Sequence, residues 1–125
     1  MRIKVSITLF LGMLAVILGA LGSHALKEIL SPEQLDSFTI GLRYQMTHVL
    51  LLLVVLLTSY FEESVKHTSF WLTVVGMLLF SGSIYLLNMQ QFLGVKLSFL
   101  GPLTPIGGLI LIGNWGFLAF KALKR

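Results

Sequence analysis

Side chains able to do chemistry are few in this chain of 125 residues, and most of them fall in short clusters. His24 stands alone. Arg43, Tyr44, Gln45, Thr47 and His48 follow, with Tyr44 and His48 on one helical face. Ser81, Tyr85 and Asn88, spaced by 4 and 3, make a second stripe, and Thr104, Pro105, Gly107 and Gly108 a third group. Two histidines at similar depth on adjacent helices could bracket a haem or a metal ion. His24 and His48 have no cysteine to help them, however, and Glu28 is the one well-placed carboxylate. The spacing assigns no metal and no cofactor. Serines and histidines occur without a nucleophile elbow and without an Asp among the apolar segments to orient a His. Paired carboxylates and a phosphate-binding loop are also missing. No catalytic residue is assigned, and the chain is not read as an enzyme.

The elements that must hold these residues are set by where charge is missing. Hydrophobic residues make up 56% of the chain and charged ones 11%, with a mean hydropathy of +0.92. A soluble domain of this size has too little interior to hide that surface. Asp, Glu, Lys and Arg are absent from 5–26, 44–61, 67–95 and 97–120, stretches of 22, 18, 29 and 24 residues. About 20 apolar residues cross a bilayer, so each stretch holds one span. The expected fold class is all-α: an integral membrane four-helix bundle forming a single transmembrane domain over 1–125, with spans at about 5–25, 43–60, 69–89 and 105–121.

Arg2 and Lys4 ahead of an apolar run, with small Ser23 and Ala25 after it, also fit a signal peptide. The run is longer than a usual signal core, so a retained span is expected, with cleavage as the alternative. Ser31-Pro32-Glu33-Gln34 reads as a reciprocal cap with proline at the first helical position. Apolar positions 35, 38 and 42 then share a face. They predict a short amphipathic interfacial helix before the second span, bending at Gly41. The net charge of +4 sits at span ends, where it meets lipid head groups rather than nucleic acid. With both termini inside, the inner side collects 6 Lys and Arg residues and the outer side 3. That bias predicts a multi-pass inner-membrane protein with cytoplasmic termini.

In this topology all four spans place hydrogen-bonding groups in the outer half. Unpaired polar groups in hydrocarbon are costly, so a candidate polar cluster is expected of His24, Arg43, Tyr44, Gln45, His48, Ser81, Tyr85, Asn88 and Thr104. Arg43 either snorkels to head groups or lines the cluster, with Asp36 or Glu28 as partner. His48 lies about 7 Å deeper at 1.5 Å per residue, too deep to snorkel. Gly12, Ala15, Gly19 and Gly22 form a small-residue stripe for helix packing, with Gly76 and Ser83 as a matching surface. Asn114 should bond across to another helix. Thr104 to Gly108 could present free N–H groups to an anion, but Gly107 and Gly108 fit a close helix contact better.

Four segments carry a family resemblance: Gly19-Ala20-Leu21-Gly22-Ser23-His24-Ala25-Leu26, Arg43-Tyr44-Gln45-Met46-Thr47-His48, Phe80-Ser81-Gly82-Ser83-Ile84-Tyr85-Leu86-Leu87 and Thr104-Pro105-Ile106-Gly107-Gly108. In that order and spacing they resemble the domain-of-unknown-function (DUF423) family of small membrane proteins, over essentially the whole chain. The chain departs from that pattern at Ser23 (usually Ala), Thr47 (often aromatic) and Asn114 (usually Gly before the Trp), the last bearing on how tightly span four packs. The resemblance implies four transmembrane helices and no assigned activity, ligand or catalytic residue. The residues themselves favour an accessory or structural component without its own catalysis. The alternative is a small permeation or ligand-binding protein with a polar recess in the outer half. The lipid bilayer is the expected partner, with a further membrane protein or a second copy of the chain left open.

Overall fold

A backbone crossing hydrocarbon must satisfy its own N–H and C=O groups, which a helix does within one segment. The computed structural model describes all 125 residues and contains helices and turns without strands. Helix α1 spans Arg2–Ser23, α2 Ala25–Ile29, α3 Pro32–Leu57, α4 Glu63–Met77, α5 Ser83–Leu93 and α6 Leu103–Leu123. A π-helical turn, Leu78–Gly82, joins α4 to α5 without a break, and a 3-10 turn, Ser98–Leu100, precedes α6. Four segments are long and apolar enough to cross a membrane: Arg2–Ser23, Pro32–Leu57, Glu63–Leu93 and Ser98–Leu123. They coincide with the four expected spans. Their ends differ because helices run on into the polar flanks or stop at caps such as His24 and Thr58.

The cap expected at Ser31 is present on both sides. Gln34 N donates to Ser31 Oγ at 3.2 Å, and Ser31 N donates to Gln34 Oε1 at 2.9 Å. The amphipathic segment that follows is helical and continues straight into the second span. At 26 residues α3 is about 39 Å long, more than the roughly 30 Å of hydrocarbon, so its first turns stand in the interfacial layer. The helix is unbroken at Gly41, where a bend was expected. A Cβ there would lie 2.8 Å from Tyr85 Cε1, so the missing side chain makes room for an aromatic ring. Leu26 and Leu30 close that end of the bundle against Phe38.

Helix α1 packs on α3, α3 on α4 and α5, and α4 on α6. The small-residue stripe of α1 does face a helix, and the helix is α3. A Cβ on Gly12 would stand 3.2 Å from Val49 Cγ1, one on Gly22 3.3 Å from Phe38 Cε1, and one on Gly19 4.0 Å from Leu42 Cδ1, while Ala15 is buried. Gly76 and Ser83 are not the matching surface for this stripe. Both face α6, because Gly107 lets the α6 backbone lie directly on the Leu79–Phe80 backbone. At the end holding both termini the core is aliphatic and aromatic, built from Leu52, Leu56 and Phe70, and from Val55, Val65 and Leu118.

Candidate functional site

Helix α3 and the α4–α5 rod run antiparallel, which brings the second and third sequence clusters face to face. Tyr85 Oη donates to Gln45 Oε1 at 2.6 Å, and Gln45 Nε2 donates to the Leu11 carbonyl at 2.7 Å. One amide thus ties α5, α3 and α1 together. Helical side chains lean toward the start of their own helix, which carries the Tyr85 ring past Gly41 to the deeper Gln45. Ser81 Oγ donates to the Gly41 carbonyl at 2.7 Å. Asn88 Nδ2 donates to Ser37 Oγ at 3.2 Å and to the Ile84 carbonyl at 2.9 Å. The stripe expected at 81, 85 and 88 therefore faces α3 along its whole length.

His48 is buried, and both ring nitrogens are engaged. Trp115 Nε1 lies 3.1 Å from Nε2, and Nδ1 lies 2.6 Å from the Tyr44 carbonyl. An indole N–H can only donate, so Nε2 accepts and Nδ1 carries the proton. The Tyr44 ring stacks on the imidazole at 6.1 Å. Neither nitrogen is free for a metal or a substrate. Thr104 pairs with Ser83, the two hydroxyls lying 2.6 Å apart across α5 and α6.

Two expected members, His24 and Arg43, are exposed and stand apart, while Tyr44 is exposed yet stays on His48. Arg43 pairs with neither Asp36 nor Glu28, and the chain's one ion pair is Lys66–Glu63 at 3.1 Å. Seven residues of helix separate Arg43 from Asp36 by about 10 Å along the axis, too far for a salt bridge.

The cluster is therefore divided rather than gathered round one recess. A cleft of about 560 Å³ beside Asn88 and Thr104 is walled by Glu33, Asp36, Ser37 and apolar residues that include Phe80. A cavity of about 220 Å³ beside His48 and Trp115 shares only Phe80 with it. Phe80 packs on Tyr44 at 4.7 Å between the two. A third, of about 150 Å³, lies between α1 and the π turn beside Gln45 and Tyr85.

Some participants were not anticipated. Trp115 and Ser37 are the partners of His48 and Asn88. An indole N–H facing hydrocarbon requires an acceptor, which was the available signal for Trp115. Polar groups also lie in the other half of the bundle. Asn114 Nδ2 donates to Thr73 Oγ1 at 2.9 Å, so Asn114 ties α6 to α4. Ser69 Oγ and Asn114 Oδ1 are buried without a protein partner. His67, exposed at the α4 start, accepts from Lys4 Nζ at 2.8 Å, which links α1 to α4.

Among known proteins, residues 18–108 match the family model described as "Protein of unknown function (DUF423)". The chain belongs to this family. The UPF0382 membrane protein YwdK of Bacillus subtilis is 36% identical over 114 residues, covering 90% of this chain and 89% of its own. A UPF0382 membrane protein of Haemophilus influenzae is 34% identical over 113 residues, at 90% and 87% coverage. UPF0382 membrane protein C1782.12c of Schizosaccharomyces pombe is 40% identical over 108 residues, at 83% and 87%. No solved structure matches. This DUF423 chain is accordingly an integral membrane protein, all-α, with four helices able to span the bilayer. Its relatives are named only as membrane proteins.

Proposed function

We propose that this DUF423 protein is a non-catalytic accessory or structural component of the inner membrane, multi-pass, with both termini in the cytoplasm. The observation that carries the reading is the use made of the deep polar side chains. Gln45, His48, Ser81, Tyr85 and Asn88 all bond to another helix or to their own backbone, including Gln45, Ser81 and Tyr85, which line one cavity of about 150 Å³. Such bonds fix helix positions in lipid, where little hydrophobic drive acts between helices. Orientation rests on charge. Arg2, Lys4, Lys66, Lys121, Lys124 and Arg125 lie at the end that holds both termini.

The chain has no cysteine, so single cysteines report topology directly. Lys124→Cys should resist a membrane-impermeant maleimide in intact cells and Lys96→Cys should react; the reverse pattern would overturn the orientation. For the accessory role, in-cell crosslinking followed by mild solubilisation should repeatedly recover the same protein neighbour. Recovery of the bare monomer alone would count against it. A ligand-binding reading is supported by the cavity between α1 and the π turn, where Gln45, Ser81 and Tyr85, three of the nine candidate residues, meet.

A further inference from the structure

We propose that the end of the bundle where α3, α4 and α6 meet is a binding site for the phosphate of an anionic phospholipid. A cavity of about 170 Å³ opens there, and Tyr60, Glu62, Lys121, Lys124 and Arg125 line it. At about 30 Å³ per water it has room for some five waters, the scale of a phosphodiester group. Three cations face one carboxylate, a local balance of +2. None of the three is ion-paired, since the chain's one salt bridge joins Lys66 to Glu63.

The cations are held by aromatic faces instead. Arg125 sits 4.6 Å over the Tyr60 ring, Lys124 Nζ 4.4 Å over Phe120 and Lys121 Nζ 5.8 Å over Phe117. A ring face positions a cation without neutralising it, so the charge stays available to an incoming anion. Tyr60 is fixed in turn, its hydroxyl donating to the Ala122 carbonyl at 3.2 Å, which pins the α3–α4 connection to the last turn of α6. Helix α4 starts beside the cavity at Glu62, whose side chain does not cap it. The first N–H groups of that helix carry no side-chain cap, and the one carboxylate of its first turn, Glu63, is held by Lys66. The apolar flanks of the helices, Leu57 and Leu123 among them, are exposed and offer acyl chains a surface directly beside the cavity. That continuity of cationic pocket and apolar wall selects a lipid phosphate over a soluble one.

The test is native mass spectrometry of the full chain in neutral detergent, titrated with phosphatidylglycerol or phosphatidylcholine. The parent should retain phosphatidylglycerol preferentially. Lys121→Gln/Lys124→Gln should weaken that binding about thirtyfold and Arg125→Gln about fivefold. Lys27→Gln/Lys96→Gln, which removes the same charge at the opposite end, should leave it unchanged. All of these side chains are exposed, and an unchanged circular dichroism melt checks that each variant is folded. Equal losses in both double variants would reduce the effect to net charge and overturn the site. Parental binding by Lys121→Gln/Lys124→Gln would do the same. Displacement of the lipid by excess inorganic phosphate would overturn the choice of a lipid.

Discussion

Replacing Gly107 by alanine puts the packing of α6 to its most direct test. A Cβ at this position would overlap the Phe80 nitrogen and stand 2.7 Å from the Leu79 carbonyl carbon and 2.8 Å from the Gly76 oxygen. All three are backbone atoms, so no rotamer change relieves the clash and the helices must separate. Overpacking costs typically about 1–3 kcal/mol, and a backbone-limited clash belongs at the upper end. Separation also stretches the Ser83–Thr104 hydroxyl pair, 2.6 Å apart, for about 1 kcal/mol more. The better helix propensity of alanine returns about 1 kcal/mol. The net loss is then about 3 kcal/mol. Gly113 and Gly116 on the same helix provide the control, because a Cβ on either meets nothing within 4 Å. Gly113→Ala and Gly116→Ala should be neutral or stabilising by up to about 1 kcal/mol. Circular dichroism during SDS titration of each variant in detergent micelles measures the differences. If Gly107→Ala unfolds at the same SDS fraction as Gly113→Ala, the close α4–α6 approach is not what holds α6.

Three further outcomes follow from the hydrogen bonds. Tyr85→Phe leaves Gln45 Oε1 without its donor and should cost about 1–2 kcal/mol; a double-mutant cycle with Gln45→Leu should give a coupling of about 0.6–1.7 kcal/mol, and zero coupling would break the proposed link between α5 and α3. Trp115→Phe strands the buried Nε2 of His48 and should lower stability by about 1–3 kcal/mol in the same titration, whereas an unchanged midpoint would mean that the indole does not serve the imidazole. Ser31→Ala removes the acceptor for Gln34 N and should cost about 1 kcal/mol, read as faster amide exchange in the first turn of α3; exchange unchanged there would show that the cap does not hold that turn.

The gaps between charges were enough to read four spans, because a bilayer tolerates few ionised side chains inside it and the helix repeat fixes the length required. The Ser31 cap was equally legible, since its chemistry is confined to four consecutive residues. Facing was legible for Ser81, Tyr85 and Asn88, whose spacing puts them on one side whatever the neighbour. Which neighbour was not. Gly76 and Ser83 carry the same small-residue signature as the α1 stripe, and nothing in spacing says that α6 rather than α1 will lie on them. Arg43 and Asp36 shared a face in projection but not a level, which a wheel-like reading hides. Trp115 stands 67 residues from His48, and no spacing in the sequence marks it as the donor to that ring.

The π turn at Leu78–Gly82 ties the middle of the third span to α6. An extra residue in a turn swings the following face by about 100° and leaves carbonyls near it without regular partners. Ser83 takes up that slack: its Oγ lies 2.5 Å from the Leu79 carbonyl and 2.9 Å from that of Phe80. With a single proton to give, Ser83 donates to these carbonyls and accepts from Thr104, so the local irregularity is tied to α6. The polar side chains of this long rod are divided between two neighbours. Thr73 meets Asn114 and Ser83 meets Thr104, both on α6; Ser81, Tyr85 and Asn88 meet α3. At 100° per residue even a regular helix would hold Ser81, Tyr85 and Asn88 roughly 60–120° round from Thr73. The hydrogen bonds of the rod serve both neighbours, which suits an element that joins helices better than one that surrounds a ligand.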